Sequence, residues 1–222
     1  MIAAHQTMLA PQETWPVPLY TGVSLVGSSV QNNNGILSGF TGSSYATMPF
    51  YWTAGASQIE AVIKIHFAQT GSAQGIWGCV GSTNAFTPFY YQGNNGPLGS
   101  YISTSGAGAW NATPNGASGS KKVYWQNTNP ASAGDYILRV TFSSGSVATS
   151  HWSGSWSQDS SNSLAAVHGA ANLVPQLGTN RGSNNPFLGT IDLNYTYLYR
   201  DGELWWEGVA GAYRNVKTIY PD

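Results

Sequence analysis

Residues 58–67 show the clearest alternation of apolar and polar positions in the chain. Positions 59, 61, 63, 65 and 67 are apolar, whereas three of the four positions between them are charged or polar. A period of two is typical of a β-strand that buries one face. Residues 135–142 repeat the pattern, with apolar side chains at 136, 138, 140 and 142. These two segments are therefore predicted to be strands that cover a hydrophobic core.

Shorter strand signals occupy much of the remaining chain. Segments rich in aromatic and β-branched residues lie between turn residues, and they predict strands at 45–52, 76–80, 86–91, 122–126, 147–152, 189–200 and 203–207. Asp201-Gly202 is typical of a type I′ hairpin turn between the last two strands. The only helical signal is short, at 163–171. Many short strands and almost no helix predict an all-β fold, an antiparallel jelly-roll β-sandwich.

Residues 1–20 differ from the rest, because they contain three prolines and show no periodic pattern. We expect an extended N-terminal arm, followed by a single β-sandwich domain at 21–222. Trp15 and Tyr20 of this arm are predicted interface residues, since large rings on an arm need a surface on which to lie. That surface is either the arm's own domain or a neighbouring molecule.

Charge is the feature of the composition that changes this picture most. Charged residues make up 8% of the chain, against about 25% in ordinary soluble domains. The 9 Trp, 13 Tyr and 7 Phe argue against disorder, so the surface must rely on neutral polar residues. Such surfaces are common in proteins that pack beside many copies of themselves. The net charge of −1 and the scattered lysines and arginines exclude nucleic acid as a partner.

The N-terminal sequence and the cysteine content bear on where the protein is assembled. Residues 1–13 have neither the basic start nor the apolar run of a signal peptide, and no stretch reaches membrane-spanning length. Cys79 is the only cysteine, so an internal disulfide cannot form. We therefore expect assembly in a host cytoplasm, a virion location and no membrane insertion.

The C-terminal third carries two motifs, Gly189-Thr-Ile191-Asp192-Leu193 and Asp201-Gly202-Glu203-Leu204-Trp205-Trp206. Together they resemble the closing strands of concanavalin-A-like and laminin-G-like jelly rolls, especially those of phage tail and virion proteins. The resemblance implies two antiparallel sheets with a concave face able to hold a glycan, and roles in receptor binding or capsid decoration. The acidic cluster that binds calcium in the lectin members has no recognisable counterpart, so we expect no metal and no cofactor.

Aromatic side chains set among small polar residues are the candidates for carbohydrate binding. Trp152 and Trp156 lie in a segment too polar for a core strand. An indole face can stack on a sugar, while Asp159 can hydrogen-bond with its hydroxyl groups. The alternative is that both rings cover an open end of the sandwich or a neighbouring subunit. Trp125 and Asn129 form a second candidate.

Trp205 and Trp206 are adjacent in a predicted strand. Successive side chains of a strand point to opposite faces, so one indole belongs to the core and the other to a surface or an interface. We assign Trp206, together with Trp15 and Tyr20, to an interface.

A catalytic site is not expected. Glycosidases need two carboxylates that flank the sugar, and the chain has only nine acidic residues. Glu203 and Glu207, at a spacing of four around Trp205, are the best available pair, whereas Asp201 is taken by the turn. The four histidines lack metal-ligand spacing, and Cys79 lies in an apolar strand.

These features predict a non-enzymatic structural protein of a phage virion, in a capsid decoration, a tail or a fibre. Its expected partners are other virion proteins, copies of itself in a homo-oligomer, and a glycan on the host surface. One alternative is a free carbohydrate-binding lectin module. Another is a glycoside hydrolase or lyase with the same fold.

Overall fold

The computed structural model describes residues 15–51, 57–68, 72–79, 86–91, 93–94, 96–103, 120–125, 132–143, 146–163, 174–179 and 185–222. These residues form sixteen strands and one helix. In chain order they are β1 (Tyr20–Thr21), β2 (Ser24–Val26), β3 (Gln31–Asn33), β4 (Ile36–Ser38), β5 (Tyr45–Thr47), β6 (Gln58–Phe67), β7 (Gln74–Cys79), β8 (Phe86–Tyr91), β9 (Leu98–Ser103), β10 (Ser120–Tyr124), β11 (Gly134–Ser143), β12 (Ser146–Trp152), β13 (Trp156–Ser163), β14 (Pro175–Leu177), β15 (Thr190–Arg200), β16 (Glu203–Glu207) and α1 (Ala212–Ile219).

Two sheets pack face to face. The nine-stranded sheet follows the order β1-β16-β15-β6-β11-β12-β13, and β4 and β3 extend it beside β15. The seven-stranded sheet follows the order β10-β9-β8-β7-β14-β5-β2. Every pairing between these strands is antiparallel except that of β1 with β16. The predicted antiparallel jelly-roll β-sandwich is confirmed.

Strand β6 lies at the centre of the nine-stranded sheet. It pairs with β11 along its whole length and with β15 on its other side. The alternation seen in the sequence is realised, because its odd-numbered residues point into the core between the sheets. The core side chains of β6 and β11 are Ile59, Ala61, Ile63, Ile65, Phe67, Leu138, Val140 and Phe142.

Stacked aromatic rings fill the core between the sheets. Phe89 of β8 lies between Trp77 and Trp125, with ring centroids 5.8 and 5.3 Å away and planes tilted by 27° and 14°. Trp77 also meets Trp206 edge to face at 5.5 Å. All four rings are at most 1% exposed. Parallel and edge-to-face aromatic contacts of this kind add to the stability that burial alone provides.

The β15–β16 hairpin confirms the predicted turn. Asp201 and Gly202 have φ of 50° and 90°, as a type I′ turn requires. The carboxylate of Asp201 also accepts hydrogen bonds from the backbone N–H groups of Ser57 and Gln58, at 2.8 and 2.9 Å. The turn therefore fixes the start of β6, a segment far away in the sequence.

Helix α1 was not predicted. It begins after Gly211, which has a φ of 87° and no capping side chain of its own. Instead, Glu207 at the end of β16 accepts hydrogen bonds from the backbone N–H groups of Gly211 and Tyr213, at 2.9 and 3.2 Å. A carboxylate at this position satisfies free N–H groups and complements the helix dipole.

The polar segment at Trp156 forms β13, an edge strand that pairs only with β12 among the described residues. An edge strand agrees with the prediction that this segment is too polar for a core strand. The predicted helix at 163–171 overlaps β13 at Ser163, and its other residues lie outside the described residues.

Candidate functional site

Four aromatic rings lie in contact on the outer face of the nine-stranded sheet, and we call them the aromatic strip. In order they are Trp156, Trp152, Tyr220 and Tyr195. Successive ring centroids are 5.6, 5.4 and 5.7 Å apart, and successive planes are inclined at 73°, 73° and 72°. All four side chains are half-buried, so each keeps part of its surface open to solvent.

The β12–β13 hairpin positions the first two rings. Trp152 and Trp156 are paired across the hairpin, where opposing side chains lie closest. The turn between them holds Gly154 at a φ of 95°, and Ser153 N–H donates to the carbonyl of Ser155 at 3.1 Å. The local sequence Ser-Gly-Ser thus brings two indoles together at the edge of the sheet.

The other two rings come from distant parts of the chain. Tyr220 terminates α1, where its N–H donates to the carbonyl of Val216 at 2.7 Å. Tyr195 lies in β15, within a stretch where the register with β6 is shifted. Beneath the strip, a second apolar cluster joins the outer face of the sheet to α1. Its buried members are Val62, Ile137, Tyr197, Leu204 and Val216.

An ion pair lies at each end of the strip. Arg139 places its guanidinium 4.2 Å from the centroid of the Trp156 ring and pairs with Asp222. At the opposite end, Lys64 Nζ lies 4.2 Å from the centroid of the Tyr195 ring and 3.3 Å from Asp192 Oδ2. Burial alone would lower the pKa of Lys64, but the nearby Tyr220 and Asp192 outweigh it and raise that pKa.

The two indole N–H groups differ in their hydrogen bonding. Trp156 Nε1 donates to the carbonyl of Tyr220 at 3.0 Å, which ties the hairpin to the end of α1. Trp152 Nε1 makes no hydrogen bond within the described part of the chain. The N–H group of Trp152 therefore stays available as a donor within the strip.

A network of charges holds α1 on the sheet beside the strip. Lys217 Nζ binds Glu60 Oε1 and Asp222 Oδ2, both at 2.8 Å, and the buried hydroxyl of Tyr197 donates to the same Glu60 oxygen. Burial and the Glu60 charge together raise the pKa of Tyr197 well above its ordinary value. Burial would lower the pKa of Lys217, yet Glu60 and Asp222 raise it overall. The helix is thus anchored by charge as well as by apolar contact.

Of the predicted carbohydrate-binding residues, the structure brings two together and buries two others away from them. Trp152 and Trp156 are neighbours in the strip. Asp159, at a bulge in β13, binds His151 Nδ1 at 2.8 Å with a side chain only 4% exposed. The assignment of Trp125 to a carbohydrate site is corrected, because this residue is 0% exposed and its indole N–H donates to the carbonyl of Ser150. A ring buried between the sheets offers no face to a sugar. Asn129 lies outside the described residues.

The predicted interface residues all contact the chain's own domain. Trp15 meets Tyr213 of α1 edge to face at 6.2 Å, and Tyr20 packs against Phe50 at 5.4 Å. The assignment of Trp206 is corrected, because Trp206 is 0% exposed in the core and donates to the carbonyl of Gly22.

The neighbouring Trp205 is half-buried. A register shift in the β15–β16 pairing skips Trp205 and places Trp206 opposite the core residue Leu198. Trp205 contacts the rings of Tyr20 and Phe50 at 6.0 and 6.2 Å. Of the two adjacent tryptophans, therefore, Trp206 belongs to the core and Trp205 to the rim of the sandwich.

Sequence reasoning missed Tyr195, Tyr220, Lys64 and Arg139 as parts of this surface. The even-numbered positions of β6 and odd-numbered positions of β11 indicate an outer face, and this signal could have placed Lys64 and Arg139 on the same face of the sheet. No local pattern indicates that Tyr220 would fold back onto the sheet.

The best carboxylate pair in the sequence does not form a catalytic site. Glu207 is 4% exposed, and both of its oxygens cap α1. Glu203 is exposed at the start of the same strand. Within the described ranges, no group of three or more His, Cys, Asp or Glu side chains could hold a metal ion. No helix among those residues has the length and apolar character needed to cross a membrane.

No model of a known protein family matches this chain, and no curated protein matches it either. Domains LG4-5 of the mouse laminin α1 chain match with a TM-score of 0.51 and 11% identity, over 88% of this chain and 47% of the laminin chain. Domain 4 of AbnA, a GH43 extracellular arabinanase from Geobacillus stearothermophilus in complex with arabinotriose, matches with a TM-score of 0.48 and 18% identity, over 75% of this chain and 73% of the other.

The enzymatically active domain of tailspike protein 2 from bacteriophage CBA120 matches with a TM-score of 0.49 and 15% identity, over 88% of this chain and 30% of the other. This chain therefore spans about half of the laminin fragment and less than a third of the tailspike domain. The laminin match, with a TM-score above 0.5, supports the jelly-roll fold that the sequence motifs resemble. The comparisons do not establish a phage origin, so the virion location, the partners and the homo-oligomer remain predictions.

The expectation that the protein is not an enzyme is wrong. It excluded catalysis for a fold that enzymes use, since the matched structures include an arabinanase domain and the enzymatically active domain of a tailspike.

Proposed function

We propose that this chain is a carbohydrate-binding module that holds a glycan against the aromatic strip. The observation that carries the proposal is the strip itself. Its four rings are half-buried and in continuous contact, and an ion pair lies at each end. Ligand sites typically combine an apolar aromatic lining with a few polar groups that fix the orientation of the ligand.

The chemistry of the strip suits a sugar. The C–H face of a pyranose and an aromatic ring exclude water from each other, and the rings are held in place beforehand by their contacts with the sheet. The ion pairs Lys64–Asp192 and Arg139–Asp222 provide both donors and acceptors for hydroxyl groups. The N–H group of Trp152 provides a further donor between them. The proposal concerns how the ligand is held, which any chemistry on that ligand would also require.

A glycan array with the purified protein tests the proposal, followed by calorimetry with the best glycan found. Trp152→Ala removes a central ring, and we expect a loss of about 2 kcal/mol in binding free energy, or about 30-fold in Kd. Trp152→Phe retains a ring but removes the N–H donor, so it should produce a smaller loss. This second variant keeps the test valid if the alanine variant folds poorly.

Tyr51 supplies the matched control, because it is 60% exposed and lies outside the strip. Tyr51→Ala should leave the affinity unchanged. An array without any bound glycan, or equal affinities for Trp152→Ala, Trp152→Phe and the unmodified protein, would contradict the proposal.

A further inference from the structure

The aromatic strip runs across the sheet rather than along one strand. Its ends lie on β13 and β15, and β12, β11 and β6 come between them in the sheet. Tyr220, from the end of α1, stands between the rings of Trp152 and Tyr195 and makes the strip continuous. Neighbouring strands of a sheet lie about 4.8 Å apart, so the four intervals between β13 and β15 span more than a single sugar ring. The centroid separations set an upper limit of about 17 Å on the distance between the outermost rings.

The orientation of the rings limits how a ligand can stack on them. Each ring is turned by 72–73° from its neighbour, so two adjacent rings cannot present their faces to one flat ligand surface. Alternate rings are the closest that can do so. Their centroids are at most about 11 Å apart, which is about the length of a disaccharide unit in an extended chain.

Polar groups are distributed in the same way. Asp192 and Lys64 lie beside Tyr195 at one end, and Asp222 and Arg139 lie beside Trp156 at the other. A site for one terminal sugar gathers its polar groups around a single ring. In this protein the two sets are separated by the length of the strip, so a ligand must be extended in order to reach both.

We infer that the strip binds an extended, linear oligosaccharide or polysaccharide along its length, with sugar units stacking at alternate rings. The inference rests on the proposed function and adds the class of ligand. A short ligand reaches only one ion pair and one or two rings. A chain of three or more sugars reaches both ends of the strip.

The test measures affinity against chain length. Linear ladders of glucose, mannose and N-acetylglucosamine oligomers, from one to six units, are titrated by calorimetry into the full chain. For a ladder that binds, we expect the association constant to rise at least tenfold between the monosaccharide and the trisaccharide, and then to level off. Equal affinity at every length would overturn the inference while leaving the proposed function in place.

Variants at the two ends provide a second measurement. Tyr195→Ala and Trp156→Ala should each weaken binding of the hexasaccharide at least fivefold. Because the disaccharide can occupy the other end, each variant should weaken its binding less than twofold. Tyr51→Ala again serves as the control. If both variants abolish disaccharide binding, the site is compact and the inference fails. If no ladder binds and the glycan array is also empty, it is the proposed function that fails.

Discussion

Buried polar groups on the outer faces of the two sheets differ in their hydrogen bonding. On the nine-stranded sheet, the buried hydroxyl of Tyr197 and the ammonium group of Lys217 share the carboxylate of Glu60. On the seven-stranded sheet, Thr87 and Gln176 are 0% and 5% exposed. Their Oγ1 and Oε1 atoms have no hydrogen-bond partner within the described ranges.

The strand register places Thr87 and Gln176 on the outer side of their sheet. Gln176 precedes the core residue Leu177 on β14, so its side chain points away from the core. Thr87 pairs with position 101 of β9, which is an odd number of residues from the core residue Leu98. Both faces therefore bury polar atoms. On the nine-stranded sheet Glu60 supplies partners to Tyr197 and Lys217, whereas Thr87 Oγ1 and Gln176 Oε1 on the other sheet have none among the described residues.

This contrast shows where a chain with few charges places them. Three basic and three acidic residues meet beside α1, in the ion pairs Lys64–Asp192, Arg139–Asp222, Lys217–Glu60 and Lys217–Asp222. A buried polar group with a partner stabilises the fold modestly, whereas one without a partner costs about 1–3 kcal/mol. The charged face is thus organised to hold a helix and its aromatic residues, and five variants measure how far this contrast extends.

The largest effect is expected from Tyr197→Ala. The ring is 0% exposed beneath α1, so its removal should lower the free energy of unfolding by about 3–5 kcal/mol. Urea denaturation followed by fluorescence measures the change. Tyr51→Ala, at a side chain that is 60% exposed, should change the same quantity by less than about 0.5 kcal/mol. A loss for Tyr197→Ala no larger than that for Tyr51→Ala would show that the cluster under α1 contributes little to stability.

Glu207→Ala should come next, with a loss of about 1–3 kcal/mol, because it leaves the N–H groups of Gly211 and Tyr213 without their acceptor. Compared with the unmodified protein, hydrogen exchange in this variant should become faster at the α1 amides but not at the β6 amides. Glu203→Ala is the matched control on the same strand, since Glu203 is exposed. An unchanged α1 in the Glu207 variant would refute the capping role.

Thr87→Val should stabilise the protein by about 1 kcal/mol, because valine has the shape of threonine without the unpaired hydroxyl. The opposite face should respond in the opposite direction, since Tyr197→Phe removes a hydroxyl that is bonded to a charged group and should destabilise by about 1.5–3 kcal/mol. Thermal and urea denaturation of both variants test the sign. A destabilised Thr87→Val protein would show that this hydroxyl has a partner, and the contrast between the faces would weaken.

The smallest effect is a pH dependence on the charged face. Burial would raise the pKa of Asp222, but Lys217 and then Arg139 lower it below its ordinary value of 3.8. The folded-state pKa thus lies below the unfolded one, so the carboxylate stabilises the fold above about pH 3.8 and loses this effect as the pH falls through the folded-state pKa. The Tm difference between the unmodified protein and Asp222→Asn should be present at neutral pH and vanish in acid. A difference that persists unchanged in acid would contradict this assignment.

The sandwich and its central strands could be predicted from the sequence, because alternation and turn chemistry are local signals. The period of two in 58–67 and the Asp201-Gly202 turn both appear in the structure as expected. Trp152 and Trp156 could also be singled out from a local signal, because they stand among small polar residues. Whether they bind carbohydrate stays a prediction.

The rest depends on contacts between distant residues. Helix α1 is capped from β16 and held by Glu60, so its own eight residues give little signal. The register shift between β15 and β16 decided which of the two adjacent tryptophans entered the core. The complete strip needs Tyr220, whose position follows from the docking of α1 and from no periodic pattern.

The central position of β6 has a consequence for biosynthesis. One of its edges pairs with β11, but the other must wait for β15, at residues 190–200. Until the ribosome has released this late segment, a long and largely apolar strand keeps one edge unpaired, and such edges readily recruit other chains. Nascent chains truncated before residue 190 should therefore aggregate or bind chaperones, and the sheet should close only after β15 has left the ribosome.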